Sequence, residues 1–232
     1  MKNTKRMIAL LLSLLMLAAL CACGKTRPEP TPAESTEPTE AAESDEPTES
    51  ADAEPTAPAA APEMADGERF EAVIAIEGME ETVNYEHLRN ETAGFSMDYD
   101  YESFVRRSEP DRERIIWGYD DPENPENYLE VAYSAEDAET VAKAISETLS
   151  KDYALHQDEL ALDRAGKCIH IDASATVDGS HTADVLQAVY IIPAPDGCRV
   201  ATIRYIPEGS DGFGKRLSLM VNTITVMEAN RA

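Results

Sequence analysis

From residue 153 to residue 206 apolar and polar residues alternate almost without interruption, and a period of two confines a chain to extended structure. In 167–177 the alternation sets Ile169, Ile171, Ala173, Ala175 and Val177 toward a core and His170, Asp172, Ser174 and Thr176 outward. Strands are predicted at 155–162, 167–177, 182–192 and 198–206, the last three forming a meander through hairpin loops at Asp178-Gly179-Ser180 and 193–197. The same alternation places Phe70, Ala72, Ile74 and Ile76 on one strand, turned at Gly78-Met79 so that 82–88 pairs back. Further strands are predicted at 94–99, 114–119 and 128–133. The period changes in only two places. Ser134-Ala135-Glu136-Asp137 resembles a capping sequence, and Ala138, Val141, Ala142, Ile145 and Leu149 then share one helical face, predicting a helix that ends near Tyr153. A second helix at 212–222 carries Phe213, Leu217, Met220, Val221 and Ile224 on one side, and 224–227 closes the sheet edge. Strands, helix, strands, helix is an α+β order: an antiparallel β-sheet with two main helices packed on it, spanning 67–232.

The 66 residues before this domain are of another kind. Lys2, Lys5 and Arg6 precede an apolar run from Met7 to Leu20 broken only by Ser13, too short to cross about 30 Å of hydrocarbon, so 1–22 reads as a signal peptide. Its end, Leu20-Cys21-Ala22-Cys23, resembles the lipobox of bacterial lipoproteins. That resemblance implies diacylglyceryl attachment at the Cys23 sulfur and location on the extracytoplasmic face of the cell membrane. Cys21 is the poorer candidate, because bulky Leu20 would stand where a small residue is expected. A diacyl anchor supplies two chains, enough for stable attachment. Residues 23–66 then read as a disordered tether. After Cys23 this stretch holds eight of the fourteen prolines, twelve acids and two bases, and Glu-Pro-Thr recurs at 37–39, 46–48 and 54–56 with no hydrophobic face. At ~3.1 Å per residue it spans at most roughly 130 Å.

Charge excludes one class of function. Forty-five acids against twenty bases give a net charge of −25, and neutralising nucleic-acid phosphates requires clustered Lys and Arg. No His-Glu-x-x-His, Gly-x-Ser-x-Gly or phosphate-binding glycine loop is present, and no Cys-x-x-Cys occurs in the domain, so no catalytic residue, cofactor site or metal site is assigned. Two places have metal-compatible chemistry: His170 with Asp172 on one strand face, approached by His181, and the oxygen-rich loop from Asp120 to Asn127. Both read equally as solvated surface. Tyr85, Tyr99, Tyr101, Trp117, Tyr119, Tyr128 and Tyr133 crowd into 85–133, as a recognition surface or as sheet packing. The meander places Cys168 and Cys198 on opposite sides of its middle strand, farther apart than the about 7 Å a disulfide allows. Both are expected as free thiols, with Cys168 on the polar face and the more reactive.

From Gly94 to Met227 the run "AGFSMDYDYESF…YLEVAYSAEDAETVAKAISETLS…GKCIHIDASATV…ADVLQAVYIIP…GCRVATIRYIP…LSLMVNTITV" resembles the PsbP-like family, which includes photosystem extrinsic subunits, a Ran-binding import factor and small bacterial lipoproteins. The resemblance implies a non-catalytic adaptor fold and carries over no site residue. The expected function is therefore that of a membrane-anchored binding or adaptor module of the cell envelope with a protein partner there. The alternatives are a substrate-binding lipoprotein of a transport system, or an envelope enzyme without recognisable motif.

Overall fold

The computed structural model describes residues 64–76, 78–207, 212 and 214–230. The predicted signal peptide, Cys23 and nearly all of the predicted tether lie outside these residues, as does Phe213. Eleven strands and two helices follow in the order β1 (Arg69–Ile76), β2 (Met79–Asn90), β3 (Phe95–Asp100), β4 (Phe104–Glu109), β5 (Arg112–Trp117), β6 (Tyr128–Ser134), α1 (Ala138–Leu149), β7 (Tyr153–Leu162), β8 (Gly166–Thr176), β9 (Thr182–Ala194), β10 (Gly197–Tyr205), α2 (Lys215–Asn222) and β11 (Thr225–Val226). The class is α+β, mostly antiparallel sheet with two helices. Among the described residues no helix is long and apolar enough to cross a membrane.

The strands form two sheets rather than one. Four pair in the order β1-β2-β3-β11 and seven in the order β4-β5-β6-β10-β9-β8-β7. The closing segment β11 therefore pairs with β3, Thr225 opposite Ser96, and not with the meander. The main core draws Leu88, Phe95, Met97, Ile115, Leu129, Ile192, Ile203, Leu217, Met220 and Val221 from both sheets and α2. A second core lies under α1, where Val141 and Ala142 meet Ile171, Val189, Ile191 and Cys198. Strand β9 serves both, Val189 and Ile191 facing α1 and Ile192 the main core. A strand covered on both faces reads as a nearly continuous apolar run, as Val189 to Ile192 does apart from Tyr190.

Several expectations are corrected. β4 was not expected, because its inward positions are Phe104, Arg106 and Ser108, and the last two bind Glu113 on β5 where apolar side chains would otherwise alternate. The cap of α1 is Asp137 and not Ser134. Asp137 Oδ1 accepts the Thr140 amide at 2.9 Å, and that backbone bond holds its carboxyl below the usual range. Helix α1 stops at Leu149, four residues short of Tyr153, which already opens β7. In β8 Ile171 and Ala173 are buried as expected, but Val177 lies just past the strand's end and is 60% exposed, and the other face is half-buried, with Cys168 2% exposed, in the main core. Cys198 lies in the core under α1. The two thiols are free, as expected, and point to opposite sides of one sheet. Burial pushes both pKa values up, so Cys168 is not the reactive thiol anticipated.

Candidate functional site

Strands β2 and β3 pair with His87 opposite Asp98 and Tyr85 opposite Asp100, so these four side chains share one face. The face continues onto β1, where Phe70 lies opposite Tyr85 and Ala72 opposite Val83. Helix α2 is fastened over it at both ends. Arg216 binds Asp100 Oδ2 at 3.1 Å and Glu81 at closer range. At the other end the Thr223 hydroxyl accepts the Asp98 amide at 2.8 Å and donates to the Met220 carbonyl at 2.7 Å. The helix must end here, because its last turn is tied to a strand running past it.

Between these fastenings lies a cavity of about 260 Å³. Phe70, Ala72 and Ile74 of β1, Tyr85 of β2 and Leu219 of α2 make it apolar, and Asp98, Asp163, Arg164, Asn222 and Thr223 form its polar end. The Phe70 and Tyr85 rings stack at 5.7 Å. Burial and the nearby Asp100 raise the Tyr85 pKa, so its phenol stays neutral.

The polar end is organised by Asp98, 1% exposed. Its Oδ1 is 2.6 Å from His87 Nδ1 and its Oδ2 is 2.8 Å from Arg164 Nη1. Arg164 sits in the β7–β8 turn, so this ion pair joins the two sheets across the cavity mouth. A carboxylate this buried needs such partners; removing one leaves an uncompensated charge worth about 3–5 kcal/mol of destabilisation. With both carboxylate oxygens taken, the group holds structure in place, and what the cavity offers a visitor is an apolar slot rimmed by Asp163, Arg164 and Asn222.

The places singled out in the sequence behave otherwise. His170 Nδ1 pairs with Asp158 Oδ1 at 2.8 Å and its ring lies against Tyr190, whereas Asp172 accepts from the Ser174 hydroxyl at 2.9 Å. His181 is exposed at the next turn. In the 120–127 loop the Asp120 carboxylate accepts from the Glu126 and Asn127 amides and from Asn127 Nδ2, and Asp121 from the Glu123 amide, so the two aspartates are committed to shaping the turn. Among the described residues no group of three or more His, Cys, Asp or Glu is placed to hold a metal. Of the aromatic cluster, Tyr85 and Tyr99 are buried, and Tyr119 is 89% exposed.

A groove along α1, about 470 Å³ and lined by Val141, Ile145, Leu149 and Val189, is larger, but Glu136 is its one charged residue and no buried ionic group converges on it. Neither His87 nor Asp98 stood out as a site in the sequence. The signal was there: His87 falls in phase with Val83 and the buried Tyr85, a titratable residue at a core position.

No family model matches the sequence, nor does any curated protein match it. Among solved structures the chain is similar to cyanobacterial PsbP (CyanoP) from Synechocystis sp. PCC 6803, at 10% identity and a TM-score of 0.42, over 61% of this chain and 92% of that one. It is similar also to the Ran-binding protein Mog1p of Saccharomyces cerevisiae, at 13% identity and a TM-score of 0.40, over 63% of this chain and 97% of that one. At these values the likeness carries no argument about family, ligand, partner or activity.

Proposed function

We propose that the protein is a lipoprotein anchored through Cys23 on the extracytoplasmic face of the cell membrane, where its α+β domain acts as a non-catalytic binding or adaptor module for an envelope protein. The observation that carries this reading is the cavity under α2. Its apolar wall ends in charged groups already committed to one another, an arrangement suited to receiving a group and not to moving protons. Its size favours a side chain over a free small molecule. Ligand pockets usually enclose about 300–1,000 Å³, and about 260 Å³ falls below that range. This weighs against a transport-type substrate-binding protein. Seating one large apolar side chain there contributes roughly 1.5–3 kcal/mol.

The test uses the full chain in its membrane. A compact aliphatic diazirine residue at Ala72, small enough to leave the cavity open, is expected to give a discrete adduct with one envelope protein, and the same residue at Lys143, exposed on α1, is expected not to. No adduct at Ala72, or the same adduct at both positions, overturns the reading. Intact mass of the processed protein is expected to begin at a diacylated Cys23.

A further inference from the structure

The cavity opens beside a sheet edge. Strand β1 is the outermost of its sheet, and no described strand pairs with its outer side. Edge strands of soluble proteins are normally guarded by charge, proline or a bulge. β7, at one end of the other sheet, carries His156, Asp158 and Glu159, and β4, at the opposite end, carries Arg106, Arg107 and Glu109. In β1 the stretch Ala72-Val73-Ile74-Ala75-Ile76 has no guard at all, and Val73 is 65% exposed.

The register shows which backbone groups are free. Ile76 lies opposite Met79 with two residues between them, which makes that pair the hydrogen-bonded closing pair of the hairpin. The Glu68 carbonyl accepts from the His87 amide at 2.8 Å, in the same phase. The backbone groups of Phe70, Ala72, Ile74 and Ile76 therefore go to β2, and those of Arg69, Glu71, Val73 and Ala75 point to the open edge. The side chains divide likewise: Phe70, Ala72 and Ile74 line the cavity, and Glu71 and Val73 lie on the opposite, exposed face. Glu80, across from Ala75, shares that outer face, and neither Glu71 nor Glu80 pairs with a described cation.

We infer that β1 takes up an extended segment of the envelope partner as a fifth strand, with the segment's apolar side chains entering the cavity and basic side chains alternating with them over Glu71 and Glu80. This rests on the adaptor reading and specifies its partner. Main-chain bonds to an open edge supply affinity, and pockets for alternate side chains supply specificity. Charge decides among occupants. The chain's own 24–66 segment, with twelve acids and two bases, is repelled by the acidic hairpin, and a second copy brings another −25. A basic segment is attracted.

The test is peptide binding to the full chain in neutral detergent micelles, followed by fluorescence anisotropy with empty micelles as blank. The probe is a labelled ten-residue peptide alternating lysine with leucine and valine. Controls replace lysine by glutamate, or place the same residues in blocks. Val73→Pro removes an outward amide and leaves the β2 ladder intact, since proline is tolerated at such an edge position; its melting temperature is expected to stay near that of wild type. Binding is expected in wild type and weakened by about tenfold in Val73→Pro, the worth of one or two main-chain hydrogen bonds. It is expected to weaken also in Ala72→Phe, which fills the cavity. Equal binding by Val73→Pro overturns strand addition while leaving the Ala72 crosslink, and hence the adaptor reading, standing. Equal binding of the block or glutamate peptide overturns it too. So does wild-type self-association that Val73→Pro abolishes, because the edge then belongs to a second copy.

Discussion

Arg199 has no exposed surface, yet it is a cation in the middle of a strand. Its Nε donates to the Gly94 carbonyl at 3.0 Å, its two Nη atoms to Asp196 at 2.9 and 3.0 Å, and Nη2 also to the Met227 carbonyl at 2.7 Å, with the Tyr133 ring 4.9 Å away. One side chain thus ties β10 to the turn that precedes β3 and to the segment after β11. Gly94 is required beside it. Its φ is +72°, and a Cβ there would stand 2.2 Å from Arg199 Nη2 and 2.7 Å from the Met227 oxygen. Arg199→Met is expected to cost about 2–3 kcal/mol in urea unfolding, because it leaves the Met227 carbonyl without its side-chain donor and removes the partner of the partly exposed Asp196. The Arg199 hydrogen bonds hold the Asp196 carboxyl below its ordinary value. A lowered folded-state pKa stabilises fully above the unfolded value of about 4 and is lost as pH falls through the folded one. Wild type is therefore expected to lose stability on acidification below about pH 4, and Asp196→Asn to show a shallower loss; identical acid limbs would remove Asp196 from the account. The cysteines give a second residue-scale outcome. Iodoacetamide at pH 8 is expected to label neither Cys168 nor Cys198 in the native protein and both in urea without reductant. Labelling that requires reductant would place them in a disulfide and displace the strand order.

At the scale of elements, sequence and structure agree where one face of a strand is apolar and part where a charged pair or a second core intervenes. β1, β3, β6, β9 and β10 were legible because their inward residues are aliphatic or aromatic. β4 was not, since Arg106 and Ser108 turn inward onto Glu113, and no periodicity records an ion pair contributed by two strands. The outer face assigned to β8 was wrong at Cys168 for the converse reason: polar spacing said nothing of a second layer covering that face. Half of the candidate site was legible in the same sense. Phe70, Ala72 and Ile74 follow from alternation, whereas Arg164 meeting Asp98 depends on two sheets coming together. The cap of α1 can be tested directly. Asp137→Ala is expected to cost about 1 kcal/mol, or roughly 2–4 °C for a domain of this size, read by the circular dichroism melt. Ser134→Ala is expected to leave the helical signal unchanged, since the amide that Ser134 Oγ accepts, that of Glu136, lies outside the helix. The reverse ranking would restore Ser134 as the cap.

For the whole molecule, charge sets the terms. Thirty-three acids and fifteen bases follow residue 66, so the folded surface repels itself. The chain answers by pairing several of its bases with acids, one of these pairs reaching across the two sheets. Arg164 meets Asp98 across the two sheets, Arg106 meets Glu113, and Arg199 meets Asp196, at 2.8, 3.1 and 2.9 Å. Each pair has at least one partner almost removed from water, and screening acts weakly on such pairs. The exposed acids behave differently. Their repulsion runs over longer distances, and the Debye length falls from about 10 Å at 0.1 M salt to about 3 Å at 1 M. Salt therefore weakens the destabilising part of the electrostatics more than the stabilising part. The melting temperature is expected to rise by several degrees between about 0.02 and 0.5 M sodium chloride, with about 1 kcal/mol corresponding to roughly 2–4 °C. Exposed pairs such as Arg69 with Glu86 and Lys167 with Glu159 pull the other way, but pairs of that kind contribute about 0–1 kcal/mol each. A melting temperature that falls with salt would mean that these surface pairs outweigh the net repulsion. The same screening is expected to weaken the lysine-bearing peptide at the β1 edge, so stability and peptide affinity should move in opposite directions along one salt series.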